Sequence, residues 1–136
     1  MKNLEHIGIA VKSIEASIPL FSRLLKTEPY KEEFVEGEKV RTLFFNCGNV
    51  KIELLESTTE DGAIAKFIEK RGEGIHHLAF EVEDINQEMQ RMKDEGFTLL
   101  NEQPKKGADN KLICFLHPKT TGGTLIELCQ ENQKGS

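Results

Sequence analysis

Four residues carry the chemistry open to this chain: His6, Glu53, His77 and Glu127. Two neutral imidazoles and two carboxylates make a mixed N/O donor set that suits a divalent transition metal. His6 and Glu53 are 47 positions apart, too far for a local metal motif. A repeat relates the four. Residues 4–14 recur at 75–85, a shift of 71 that sets His6 on His77, Val11 on Val82 and Ile14 on Ile85. Val50–Leu55 recur at Thr124–Cys129 with a shift of 74, which sets Glu53 on Glu127. Each copy carries a His early and a Glu late, and equivalent positions converge if the copies pack with those faces together. Two copies of about 70 residues are too few and too long for a solenoid. A pseudo-symmetric single domain over residues 1–136 is expected.

The carboxylates lie inside apolar runs, Ile52-Glu53-Leu54-Leu55 and Leu125-Ile126-Glu127-Leu128. Burying either without a partner costs several kcal/mol, a penalty that a metal offsets. A lone strand His or Glu is ordinarily structural; the register of all four carries the metal reading. His76 alternates to the face opposite His77 and its counterpart is Glu5, so it is excluded. His117 has no counterpart.

The elements that must position these residues follow from periodicity. Residues 3–11 alternate as a strand, with Leu4, His6, Gly8 and Ala10 on one side and Ile7, Ile9 and Val11 on the other. The small residues leave space before His6, and the apolar face is the one that packs. Ser13 caps a helix whose apolar spacing (Ile14, Ile18, Phe21, Leu24, Leu25) runs to about Lys26, with Pro19 expected to weaken it or shift its start. Strands follow at 29–36 and 39–46 around Gly37, then at 50–56 after a Gly48-Asn49 turn. A connecting helix lies within about 61–71. The second copy repeats this order: strand 75–82, Asp84 as cap, helix 85–95 closed by Gly96, strand 97–101, a Lys/Gly loop at 104–111, strand 111–116, a Pro118–Gly123 turn and strand 123–130. Each module, about 3–57 and 74–131, reads βαβββ, an α+β architecture.

Composition narrows the classes. The net charge of −5 argues against nucleic-acid binding. No apolar run approaches the ~18 residues that span a membrane. Glu5, Lys12 and Glu15 within the first twenty positions argue against a signal peptide. Three cysteines without metal spacing suggest reduced, mostly buried thiols and a cytoplasmic setting. Gly135-Ser136 is assigned no function.

The full chain resembles the vicinal-oxygen-chelate superfamily, and within it the methylmalonyl-CoA epimerases. The resemblance rests on three stretches. They are Asp61-Gly62-Ala63-Ile64-Ala65-Lys66-Phe67-Ile68, Gly74-Ile75-His76-His77-Leu78-Ala79-Phe80-Glu81-Val82, and Phe115-Leu116-His117-Pro118-Lys119 with Gly123-Thr124-Leu125-Ile126-Glu127-Leu128. It implies paired βαβββ modules whose curved mixed sheet encloses one divalent ion (Co, Ni, Zn or Mn) held by His6, Glu53, His77 and Glu127. It implies proton transfer at C2 of methylmalonyl-CoA, an acyl-CoA thioester, and a homodimer. Some epimerases have Gln in place of Glu53, and some carry a further Glu where this chain has Thr42, so Glu53 and Glu127 are the candidate acid/base pair. Lys105, Lys106, Lys111 and Lys119 fall within 15 residues opposed only by Asp109. They are either a solvated loop or, for Lys105, Lys106 and Lys119, contacts to the CoA phosphates. Glyoxalase I is the nearest alternative, with the same ligand order. A non-catalytic drug-binding resistance protein would not need all four ligands, and an extradiol-type dioxygenase would not need Glu53.

Overall fold

The computed structural model describes residues 1–132, so Gly135 and Ser136 lie outside the described residues. The chain divides into two compact units. One is His6–His76; the other joins Met1–Glu5 to the residues from His77 onward.

The first unit holds most of β1 (Asn3–Ala10), then α1 (Ile14–Leu25), β2 (Lys31–Val35), β3 (Val40–Cys47), β4 (Val50–Ser57) and α2 (Ala63–Arg71). Its strands lie in the order β2-β3-β4-β1, with β1 parallel to β4 and the other neighbours antiparallel. The second unit holds most of β5 (Gly74–Glu81), then α3 (Ile85–Asp94), β6 (Lys105–Lys106), β7 (Lys111–Leu116) and β8 (Ile126–Glu131). Its order is β5-β8-β7-β6, with β5 parallel to β8. Each module is βαβββ on a mixed four-stranded sheet, the α+β class read from the sequence. The first five residues belong with the second module: the Lys2 N–H donates to the Glu81 carbonyl at 2.8 Å and Asn3 Nδ2 to Glu81 Oε1 at 3.2 Å.

The same device starts the main helix in both modules. Ser13 Oγ accepts from the Ala16 N–H at 3.1 Å, and Asp84 Oδ1 from the Gln87 N–H at 3.1 Å. The first helical N–H of each is then taken by the strand that carries the site glutamate. Ile14 donates to Glu56 Oε1 at 2.8 Å and Ile85 to Gln130 Oε1 at 2.6 Å. Glu56 stands three positions after Glu53 and Gln130 three after Glu127, so each helix start is tied to the strand that carries that glutamate. Each helix packs its apolar stripe on one sheet face. Ile14 joins Val11, Leu43, Phe45 and Leu54, while Ile85, Met89 and Met92 join Cys114, Leu116 and Leu128.

The other face of the first sheet is less open than the small residues suggested. His6 is 5% exposed, and Ala10 is fully buried because α2 packs Ile64 against Ala10, Val40 and Leu55.

Pro19 sits inside α1 without shifting its start; it is solvent-facing, and the carbonyl it leaves unbonded can turn to water. Three details depart from the sequence reading. Leu24, counted in the apolar stripe, is 69% exposed. The turn before β3 is a 3₁₀ turn over Glu36–Glu38, and Lys39, not Gly37, takes the left-handed conformation (φ 53°). The strand expected at 97–101 reduces to one bridge, Leu99 to Leu116, and the short edge strand falls at Lys105–Lys106 inside the expected loop. Asn101 is the reason. Its Oδ1 accepts from the Phe115 N–H at 3.1 Å and its Nδ2 donates to the Ile113 carbonyl at 3.4 Å, taking up the β7 edge with a side chain.

Two predictions follow from helix ends. Lys26 closes α1 at φ 56°, a left-handed conformation that costs a non-glycine residue free energy. Lys26→Gly is expected to raise stability by about 0.5–1 kcal/mol, read as a higher urea midpoint at unchanged m-value. In α3, Arg91 grips Glu88 with two hydrogen bonds of 2.9 and 3.1 Å, and the Met1 ammonium adds a third contact at 3.1 Å. The Arg91 bonds, then the ammonium, hold Glu88 down to about 2 from an ordinary 4.5. Its contribution is present above the ordinary value and lost as pH falls towards 2. Glu88→Gln should therefore destabilise the protein at neutral pH and make little difference at about pH 2, measured by denaturant titration at both.

Candidate metal centre

Each unit contains one buried His–Glu pair. In the first, His6 Nδ1 lies 3.2 Å from Glu53 Oε2, with side chains 6% and 5% exposed. In the second, His77 Nε2 lies 3.1 Å from Glu127 Oε1, both 6% exposed. The register explains the match. Gly8 stands beside Glu53 on the parallel neighbour, and Ala79 stands beside Glu127. Each histidine is two residues before that small residue, on the same face, so it reaches diagonally to the carboxylate. Gly8 and Ala79 leave the glutamates room that a larger side chain would fill.

A further repeat lies on the third strand. Phe44 is directly opposite Glu53, and Phe115 directly opposite Glu127. Phe44 is fully buried, and the Phe115 ring meets His77 edge-on at 5.8 Å. These aromatics exclude water from one side of each carboxylate, which strengthens its interaction with a cation. The shift of 71 that relates the histidines also relates the phenylalanines, a signal present in the sequence and not used there.

The donor chemistry fits a metal. Ligand atoms held cis on one octahedral ion, at about 2.0–2.2 Å each, lie about 3 Å apart, and both His–Glu separations meet that value. Among the cysteines, Cys47 is exposed, and Cys114 and Cys129 are buried. Burial pushes the Cys114 thiol up, away from the thiolate that ligation needs.

The profile of the glyoxalase/bleomycin resistance protein/dioxygenase superfamily matches residues 5–115. The uncharacterized protein YqjC of Bacillus subtilis is 39% identical over 130 residues, 96% of this chain and 93% of that protein. The ethylmalonyl-CoA/methylmalonyl-CoA epimerase of Cereibacter sphaeroides is 40% identical over 129 residues, 93% of this chain and 96% of that enzyme. The chain belongs to the methylmalonyl-CoA epimerase family. A structural relative is the Streptomyces coelicolor methylmalonyl-CoA epimerase in complex with 2-nitronate-propionyl-CoA, at TM-score 0.89 and 34% identity over 96% of this chain and 98% of that one.

Against this family background the remaining candidates separate. Lys105 shares a row with Ile113, on the same face as Phe115 and Glu127, and its ammonium stands 5.9 Å from the Phe115 ring centre. Lys106 pairs with Leu112 on the opposite face. Lys119 is exposed on the 3₁₀ turn after β7. Lys111 is drawn to Glu5 at 3.8 Å, both side chains nearly buried, a pair that sequence reading missed. His76 packs edge-on against Phe67 at 4.9 Å, and His117 accepts from the Lys119 N–H at 3.1 Å, so both have structural work. Thr42 is 1% exposed and opposite Leu55, on the Glu53 face.

If the pairs are metal ligands, His77→Ala and Glu127→Ala should each weaken Co²⁺ binding by more than about 100-fold, measured by competition with a chromophoric chelator. Unchanged affinity would make the pair an ordinary buried hydrogen bond.

Proposed function

We propose that this protein is a metal-dependent epimerase that interconverts (2R)- and (2S)-methylmalonyl-CoA by removing and returning the C2 proton. The observation that carries the reading is the recurrence of one buried His–Glu pair in equivalent register in both modules, in a chain of the epimerase family. His6, Glu53, His77 and Glu127 would together hold one divalent ion; Co, Ni, Zn and Mn all accept such a set. That ion, when bound, supplies Lewis-acid stabilisation of the negative charge that builds on the thioester and carboxylate oxygens.

The chain's own residues do the rest. His6 and His77 present ring nitrogens from equivalent positions of the two parallel strand pairs. Glu53 and Glu127 are assigned as the two bases, one for each face of the planar carbanion. One takes the C2 proton and the other returns a proton to the opposite face, which inverts the centre. The buried threonine at position 42 cannot act as a base at neutral pH, so the proposed transfer uses these two carboxylates. Phe44 and Phe115 keep bulk water from them, so the abstracted proton is not lost to solvent along that side. Lys105, Lys106 and Lys119 are proposed contacts to the CoA phosphates, and Lys105 has the strongest support because it lies on the Glu127 face. The protein is further proposed to act as a cytoplasmic homodimer. No helix among the described residues is long and apolar enough to cross a membrane, and Leu20 and Leu24 of α1 leave apolar surface for a second copy to cover.

Glu53→Gln separates the two roles. The expected result is a loss of epimerisation of more than about 100-fold with retained exchange of C2–H from the epimer facing Glu127, followed by proton NMR in D₂O. Full epimerase activity in this variant would overturn the two-base assignment. Turnover of the methylglyoxal–glutathione hemithioacetal by the wild type, with none of methylmalonyl-CoA, would overturn the substrate.

A further inference from the structure

The cation–aromatic arrangement at Lys105 has a counterpart in the other module that the sequence reading did not single out. Lys31, on edge strand β2, is directly opposite Phe44, which is directly opposite Glu53, which is beside Gly8. One row across the sheet therefore reads Lys31, Phe44, Glu53, Gly8. The Lys31 ammonium stands over the Phe44 ring, 5.2 Å from its centre. Each module thus carries the same set on one face: a histidine, a glutamate, a phenylalanine that shields the glutamate, and a lysine over that phenylalanine. A second cation shares the first module's face, since Lys51 is in register with His6.

We propose that Lys31 binds an anionic oxygen of the substrate, as the first-module counterpart of Lys105. This rests on the epimerase reading and names a binding residue for it. The row gives the reason. The Phe44 ring beneath Lys31 is fully buried, so the ammonium is steered over the site face by attraction to the ring. It also lies 3.6 Å from the carboxylate of Glu33, which is partly exposed. Exposed ion pairs of this kind hold weakly, and an arriving anion can share the ammonium. Methylmalonyl-CoA offers two sources of anionic oxygen, the acyl carboxylate and the CoA phosphates, and a lysine serves either as a point charge.

The test uses Lys31→Met, which keeps the alkyl stem over Phe44 and removes the charge, with Lys31→Arg as rescue and Lys70→Met, exposed on α2, as control. Calorimetric titration with methylmalonyl-CoA at low salt is expected to show a dissociation constant about tenfold higher for Lys31→Met. KM should rise in parallel while kcat stays within about twofold. Arg should restore most of the loss, and the control should match the wild type. A parallel titration with propionyl-CoA, which has the phosphates and lacks the acyl carboxylate, identifies the source. An equal loss assigns the phosphates, and a loss confined to methylmalonyl-CoA assigns the carboxylate. Binding of both thioesters unchanged within about twofold, beside a wild type that binds them, would overturn the role of Lys31. A wild type that binds methylmalonyl-CoA without epimerising it would overturn the epimerase reading, and the same titrations would still decide Lys31. A wild type that binds neither thioester would overturn both.

Discussion

The structure turns on a carboxylate placed where apolar strands cross the middle of a sheet. Glu53 and Glu127 are each flanked by leucine in sequence and nearly buried. A carboxylate in that position demands a partner, because unpaired burial costs several kcal/mol. A parallel strand pair supplies one, a histidine set diagonally across a glycine or alanine. Everything else serves that approach. The parallel pairing needs a crossover, and α1 and α3 provide it. The two helices begin on Glu56 and Gln130, side chains of the strands that carry Glu53 and Glu127. The shielding phenylalanines come from the antiparallel neighbour. Shifting any of these strands by one residue would turn the ligand away from its partner, so register and chemistry are set by the same contacts.

Charge is handled differently on the two faces. On the helix-packed side of the first sheet, Arg41 is held charged by Glu15 and then Glu32, with Glu56 at 3.7 Å. That network is local and ties α1, β2 and β4 to β3. On the site face Lys31 and Lys105 stand over aromatic rings, and Lys51 shares the face of the first module. The protein is acidic overall, yet its site faces carry lysines, which fits a polyanionic thioester substrate better than a neutral one.

Much of this was legible in the sequence. The duplication picked out the four residues that form the two buried His–Glu pairs, because a repeat constrains structural equivalence without knowledge of distances. The alternation around His6 and the caps Ser13 and Asp84 placed the first strands and helices. What escaped notice depended on side chains acting as backbone or on contacts between strands. Asn101 takes the hydrogen bonds of an edge strand, so β-like composition at 97–101 produced one bridge. Lys26 and Lys39 adopt conformations that glycine usually marks. Lys31 became visible only when the register set it opposite Phe44, since alternation assigns a face and pairing assigns a neighbour. The buried pair of Glu5 and Lys111 likewise joins residues from opposite ends of the chain, which no local pattern reports.

The most direct measurement is to incubate the Co²⁺-loaded protein with (2R)-methylmalonyl-CoA in D₂O and follow the epimer ratio and C2 deuterium together. The expected result is approach to an equal mixture of epimers with deuterium at C2, abolished when the metal is removed by chelation and restored on its return. A metal-loaded protein that leaves both the configuration and the C2 proton unchanged would contradict it.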